Sequence, residues 1–145
     1  MPSQGVIAST KQEPQELILL RAAAARTKGT VVRISTGHSD GVNADIALAD
    51  DTNVYRVAVV AADAASGTIY PAVLRGTCAI TVPSGTYTAG HGVKVLDGAL
   101  ASTGAAAVAR DALSTNTGFA IINVGGTSVT EITVTLFGDA FTATT

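Results

Sequence analysis

Apolar and polar residues alternate along two stretches of the chain, and this period of two is typical of a half-buried β-strand. The first stretch is Thr77–Val82, in which one face carries Cys78, Ile80 and Val82. The second stretch is Thr130–Leu136, in which one face carries Ile132, Val134 and Leu136. Both segments are therefore predicted to be strands with one face in the core.

Other runs rich in β-branched residues predict further short strands between glycine- or proline-containing turns. The runs are Thr30–Ser35, Val54–Val60, Thr68–Leu74, Gly92–Leu96 and Gly118–Val124. The turns are Pro83–Gly85, Asp97–Gly98 and Gly125–Gly126. Pro71 has no N–H to donate, which places its strand at an edge or a bulge. About six to eight short strands with regular turns predict an all-β domain, a small β-sandwich or barrel.

The first part of the chain is harder to interpret. Residues 1–14 show no apolar period and predict an extended arm. The composition of Glu16–Arg26 favours a helix, but the turn signal at Lys28–Gly29 favours a hairpin whose first strand is this segment; we favour the strand. The domains are thus an arm with a possible first strand or helix, residues 1–28, and a β domain, residues 29–145. Ala105–Leu113 fits either one or two helical turns or a loop.

The apolar fraction is large but consists mostly of small side chains. Hydrophobic residues make up 47% of the sequence, aromatic residues 4% and charged residues 14%. Small side chains bury little area each, so we expect the core to be supplemented by oligomerisation. The low charge density indicates that much of the surface contacts protein.

Several partner classes are not expected. A net charge of −2 provides no basic stripe for nucleic acid. Arg56 and Asp63 interrupt the best candidate for a membrane span, and no secretion signal is recognised. Cys78 is the single cysteine, so no intrachain disulfide can form and synthesis in a reducing cytoplasm is expected.

Candidate metal ligands do not form a recognised constellation. His38 and His91 lie outside any two-histidine motif and are interpreted as loop or surface residues. The segment His38–Asp51 is predicted to be mostly loop. Its polar cluster lacks the spacing of a calcium-binding loop and is interpreted as solvated: Asp40, Asn43, Asp45, Asp50 and Asp51.

Candidate catalytic residues are equally isolated. Cys78 is interpreted as a small buried apolar residue rather than a nucleophile. Glu13 and Glu16 form a carboxylate pair only on the arm, which is a poor place for a dry active site. The serines and glycines form neither a nucleophile elbow nor a phosphate-binding loop. We therefore expect no enzyme activity, no cofactor and no metal.

The order of several segments resembles a known family. The segments are a strand leading into an Asp-Ala-Ala-x-Gly turn, Val57–Gly67, then Tyr70–Gly76, Thr88–Leu100 and Thr117–Ile122, followed by a closing Ile-Thr-Val-Thr-Leu strand. This order resembles the capsid cement, or decoration, proteins of tailed-phage heads over about residues 29–138. The resemblance implies a β-tulip-like fold and no catalytic residue.

The resemblance also implies a role and partners. Members of the family reinforce the outer surface of the virion head as homotrimers at three-fold junctions of the major capsid protein. Many weak contacts on one shell add through effective concentration, and an extended arm can bind by adding a strand to a neighbour. The candidate capsid contacts are Gln4, Gly5, Val6 and Ile7. Two alternatives stay open, an adhesive or pilin-like subunit and a small-ligand-binding barrel.

Overall fold

A computed structural model describes residues 15–35, 40–48, 57–96, 98–106 and 118–137, with the backbone alone at 105–106. Nine strands form one sheet: β1 (Glu16–Arg21), β2 (Val31–Ile34), β3 (Asp45–Ile46), β4 (Val57–Val60), β5 (Ile69–Tyr87), β6 (His91–Leu96), β7 (Ala99–Ala106), β8 (Ala120–Val124) and β9 (Gly126–Phe137). The order is β3-β2-β4-β5-β9-β8-β6-β7, all ladders are antiparallel, and β1 also pairs with β5. The all-β prediction is confirmed; the sheet is not closed. The described residues include no helix that could cross a membrane.

Strand β5 is sharply bent. Its Ala72 pairs with Val60, whose carbonyl accepts a hydrogen bond from the N–H of Gly29. The carbonyl of Gly29 in turn accepts a hydrogen bond from the N–H of Thr81, also on β5. Each of these three pairs joins neighbouring backbone segments that lie about 5 Å apart, so Ala72 and Thr81 are within about 15 Å of each other. In a straight strand the same two residues would be about 30 Å apart. The strand therefore folds over between them, in the stretch that contains Gly76 with a φ of 110°.

The bend lets the two halves of the sheet share one core. Val59 of β4 and Val73 in the first part of β5 belong to the same buried cluster as Ile80 in the second part of β5 and Ile122 of β8. The alternation predicted for the last strand is confirmed, because its three inward residues are almost completely buried: Ile132, Val134 and Leu136. One apolar face per strand thus builds the main core.

A second, smaller core covers the opposite face of β2 and β4. It contains Val32, Ala58 and Val60, together with Leu20 of β1 and Tyr70 of β5. The other two residues of β4, Val57 and Val59, face the main core, so β4 is buried on both faces. This explains why the run of four small apolar residues in β4 shows no polar alternation.

One prediction about proline was wrong, and of the two alternatives for the strand of Pro71 the edge is wrong, whereas β5 does contain register shifts against β1 and β9. Pro83–Gly85 is not a turn but lies inside β5, where the pairing with β9 shifts register on each side of Gly85. Bulges of this kind absorb residues that would otherwise end a strand. Pro71 pairs with β1, and its carbonyl accepts the N–H of Ala61, the first residue after β4. The proline is therefore not on an edge but lies where one neighbouring strand ends, so its missing N–H costs little.

The segment that begins at Glu16 is a strand, as we favoured, but the hairpin at Lys28–Gly29 is wrong. β1 pairs with β5, from Glu16 opposite Arg75 to Arg21 opposite Ile69. The chain after β1 stays beside the β4–β5 connection, since Ala22 and Arg26 form backbone hydrogen bonds with residues 64–68. This route places Leu20 of β1 in the second core.

The other two predicted turns are confirmed. β6 and β7 pair up to Leu96 opposite Ala99, with Gly98 at a φ of 80° in the turn, and β8 and β9 are joined at Gly125. Residues Ala105 and Ala106 belong to β7; the rest of Ala105–Leu113, the arm 1–14 and residues 54–56 lie outside the described residues.

Gly29 supplies a test of the contact that holds the bend. Its φ is 92°, and a Cβ there would lie 3.1 Å from Oγ1 of Thr81, whereas Gly67 has a φ of 84° and open space. We expect Gly67→Ala to lower the free energy of unfolding by about 1 kcal/mol through backbone strain alone. Gly29→Ala should cost about 2–3 kcal/mol, because strain and crowding add. Chemical denaturation measures both; equal losses would mean that the Thr81 side chain moves aside without cost, so that Gly29 is not closely packed there.

Candidate functional site

The most constrained polar group in the described residues is a buried carboxylate on β3. The Asp45 side chain accepts hydrogen bonds from the backbone N–H of Ala23 (2.9 Å), from two guanidinium nitrogens of Arg26 (2.9 Å each) and from the hydroxyl of Tyr70 (2.6 Å). The carboxylate is completely buried, and the Arg26 side chain is only 13% exposed. Asp45 thus ties β3 to β5 and to the segment after β1.

This network shifts the pKa of each of its members. Burial by itself would raise the pKa of Asp45, but the hydrogen bonds from Arg26, Tyr70 and Ala23 outweigh it and leave the pKa below its ordinary value. The hydrogen bond to Asp45 raises the pKa of Arg26. Burial, and then the carboxylate, raise the pKa of Tyr70. The pair is therefore ionised at neutral pH and Tyr70 stays protonated as the donor.

The interpretation of the acidic cluster as a solvated loop was wrong for Asp45. Its oxygens are filled by donors from the chain itself, so a cation would have to displace Arg26. Asp40 and Asn43 are exposed as expected, and Asp40 pairs with Arg21 at the surface. Asp50 and Asp51 lie outside the described residues. No group of three or more candidate metal ligands occurs in the ranges that the structure describes.

Those of the other sequence candidates that the structure describes, Cys78, His91 and Glu16, do not form a reactive site. Cys78 is half-buried against the main core, and burial raises the pKa of its thiol to about 11, which disfavours a nucleophilic thiolate. His91 is half-buried at the start of β6, and its backbone N–H donates a hydrogen bond to the backbone carbonyl of Thr88. His38 and Glu13 lie outside the described residues. Glu16 is on β1, with a carboxylate oxygen 4.0 Å from Nε of Arg75.

The exposed feature that stands out is an apolar strip across β1 and β5. We define the apolar strip as Leu17, Leu19, Ile69 and Pro71. Leu17 and Leu19 are 53% and 61% exposed, and Ile69 is 46% exposed. Leu19 pairs with Pro71, and Ile69 lies opposite Arg21, so these side chains share one face. Of the six large apolar side chains exposed in the described residues, three belong to this strip.

The ends of the apolar strip are charged but locally neutral. At one end Arg21 pairs with Asp40, and at the other Glu16 lies near Arg75. A docking partner therefore meets aliphatic surface between two compensated ion pairs. Sequence reasoning missed the strip because Leu17–Leu20 is apolar at every position, so no alternation marked which leucines face solvent. The capsid contacts predicted from sequence, Gln4 to Ile7, lie outside the described residues.

Substitution of the buried carboxylate tests its role in stability. We expect Asp45→Asn to lower the free energy of unfolding by about 3 kcal/mol, because Arg26 would be left buried without its counter-charge. The matched control is Asp40→Asn, whose ion pair with Arg21 is about two-fifths exposed on each side and should contribute little to stability. Urea denaturation of both variants decides; similar small losses would contradict a structural role for Asp45.

The pH dependence of stability follows from the same group. Because the pKa of Asp45 is lower in the folded chain than the value near 4 of an unfolded chain, its contribution is complete above about pH 5. The contribution is lost as the pH falls through the folded-state pKa. The difference in unfolding free energy between the wild-type chain and Asp45→Asn should therefore shrink from pH 6 towards pH 2. A difference that stays constant would show that Asp45 has the same pKa in both states.

Comparison with known proteins finds structural similarity but no sequence match. No family model and no curated protein sequence match the chain. The fold is similar to the crystal structure of the N base of head fiber gp8.5 of bacteriophage phi29, with a TM-score of 0.55. The match covers 88% of this chain and 98% of that one at 12% sequence identity. At this identity the likeness establishes a shared fold over nearly the whole of the phage domain.

Proposed function

We propose that this chain is a structural protein of a phage head that binds the outer surface of the capsid and stabilises the shell. The observation that carries the proposal is the shared fold with the base of a head fiber, which extends over 98% of that base. The order of strand and turn segments in the sequence, which resembles capsid cement proteins, supports the same role independently.

The proposed partners are the major capsid protein and other copies of this chain. A homotrimer at three-fold junctions is consistent with a charged fraction of only 14% and with cores built from valine, alanine and isoleucine. Such cores gain less from burial than cores rich in aromatic residues, so intersubunit contacts add stability. The apolar strip, with its neutral ends, offers aliphatic surface to a protein partner.

The alternatives from the sequence gain no comparable support. A ligand-binding barrel requires a closed sheet around a cavity, whereas this sheet stays open and its two halves fill the space between them with side chains. No feature of the described residues favours an adhesive or pilin-like subunit.

Binding to capsids tests the proposal. Purified chain mixed with phage heads that lack it should co-sediment with the heads and saturate at a fixed ratio to the major capsid protein. It should not bind heads that already carry the protein, because the sites are occupied. Mass spectrometry should detect the chain in purified virions, and light scattering should give the mass of a trimer, free in solution or after release from heads.

Two results would contradict the proposal at different levels. Failure to bind heads, together with absence from virions, would remove the head-associated role. Binding by a chain that stays monomeric both in solution and on release would leave the role intact and remove the homotrimer.

A further inference from the structure

Within the described residues, strand β1 pairs with β5 along one edge and has an open edge on the other side. The N–H of Ala22 donates to the carbonyl of Thr68 on the β5 side, whereas the N–H of Arg21 donates away from β5 to the carbonyl of Asn43. Backbone groups of successive residues in a strand point to opposite sides. The N–H and C=O groups of Leu17 and Leu19 therefore point outward, like those of Arg21. Within the described residues, no backbone partner pairs with them.

Between Leu17 and Leu20 the open edge lacks most of the usual protection against pairing, and the register shift in the β1–β5 ladder lies before them, between Glu16 and Leu17. Natural edge strands carry lysine, proline, inward-pointing charge or a bulge. Between the charged ends of β1 lie four consecutive aliphatic residues, Leu17–Leu20. The two whose backbone points outward also carry the exposed side chains of the apolar strip. Hydrogen-bonding groups and apolar surface thus face a partner together, which is the arrangement that strand addition uses.

A second copy of β1 is blocked at one end of this edge in the antiparallel register that pairs both exposed leucines. In an antiparallel pair that placed its Leu19 opposite Leu17, so that the leucines shared one face, its Gln15 would lie opposite Arg21. That position is already occupied by Asn43 and Ala44, which are bonded and bridged to Arg21. The free edge runs only from Gln15 to Leu20, about 20 Å. A short extended segment that ends or turns away before Arg21 does fit.

We propose that the open edge of β1 accepts an extended segment of the capsid shell protein as an added strand, with apolar side chains over the apolar strip. This inference rests on the proposed function and identifies the residues that contact the shell. Two groups hold the segment: the outward backbone N–H and C=O groups of Leu17 and Leu19, and the aliphatic face of the apolar strip. The compensated ion pairs at both ends of β1 select an uncharged segment, because a charged one would find no unpaired counter-ion there.

The test uses the full chain and purified heads that lack it. Leu17→Lys/Leu19→Lys puts charge on the open edge without disturbing a buried residue, and we expect at least about a tenfold loss of affinity for heads. Leu19→Pro removes one outward N–H and no hydrogen bond to β5, and it should also weaken binding. The matched control is Val124→Lys, at a residue 62% exposed on β8, and its binding should equal that of the wild type.

Each outcome decides the inference. Wild-type binding by the double lysine variant would overturn it while leaving the proposed function standing. A change in mass in solution for that variant, but not for Val124→Lys, would show that the strip joins copies of this chain. A melting temperature lowered well beyond that of Val124→Lys would show that the chain covers its own edge. If the wild type fails to bind heads, the proposed function is lost and this inference with it.

Discussion

The bend in β5 is the constraint on which the rest of the structure depends. A single sheet leaves two apolar faces open to water, and a chain with few large side chains gains little from covering them loosely. By folding over between Ala72 and Thr81, β5 lets one sheet act as both layers of its own core. The same strand pairs with β1, β4 and β9, so its path sets the position of most of the sheet.

The buried ion pair of Arg26 and Asp45 lies beside the smaller of the two hydrophobic cores. The second core is small, and its polar side is closed by Asp45, Arg26 and Tyr70 from three separate parts of the chain. The four hydrogen bonds to the Asp45 carboxylate can all form in only one arrangement of the surrounding segments. Contacts between alanine and valine side chains allow many packing arrangements. The network therefore fixes the connection after β1 relative to β3 and β5, and with it the position of the apolar strip.

The sequence pattern predicted those elements of the fold that depend mainly on residues close together in sequence. The alternating residues of β9 and the turn at Gly98 between β6 and β7 could be found from sequence, because a half-buried strand and a tight hairpin depend on neighbouring residues. The pairing of β1 with β5, the passage of a strand through Pro83, and the burial of Asp45 depend on residues far away in sequence. Nothing near Asp45 distinguishes it from Asp40, and only the approach of Arg26 and Tyr70 makes it a core residue.

The pairing of β1 with β5 also has a consequence for the order of folding. β2, β3 and β4 lie between the two strands in sequence, so β1 cannot close its ladder until the first part of β5 has been synthesised. Long-range closure of this kind is slow compared with the β6–β7 and β8–β9 hairpins. During that interval the aliphatic residues of β1 lack the β5 ladder that covers one of their edges. A strand that is made before its partner is thus completed late, and its exposure on the ribosome is a hazard that a local hairpin would have avoided.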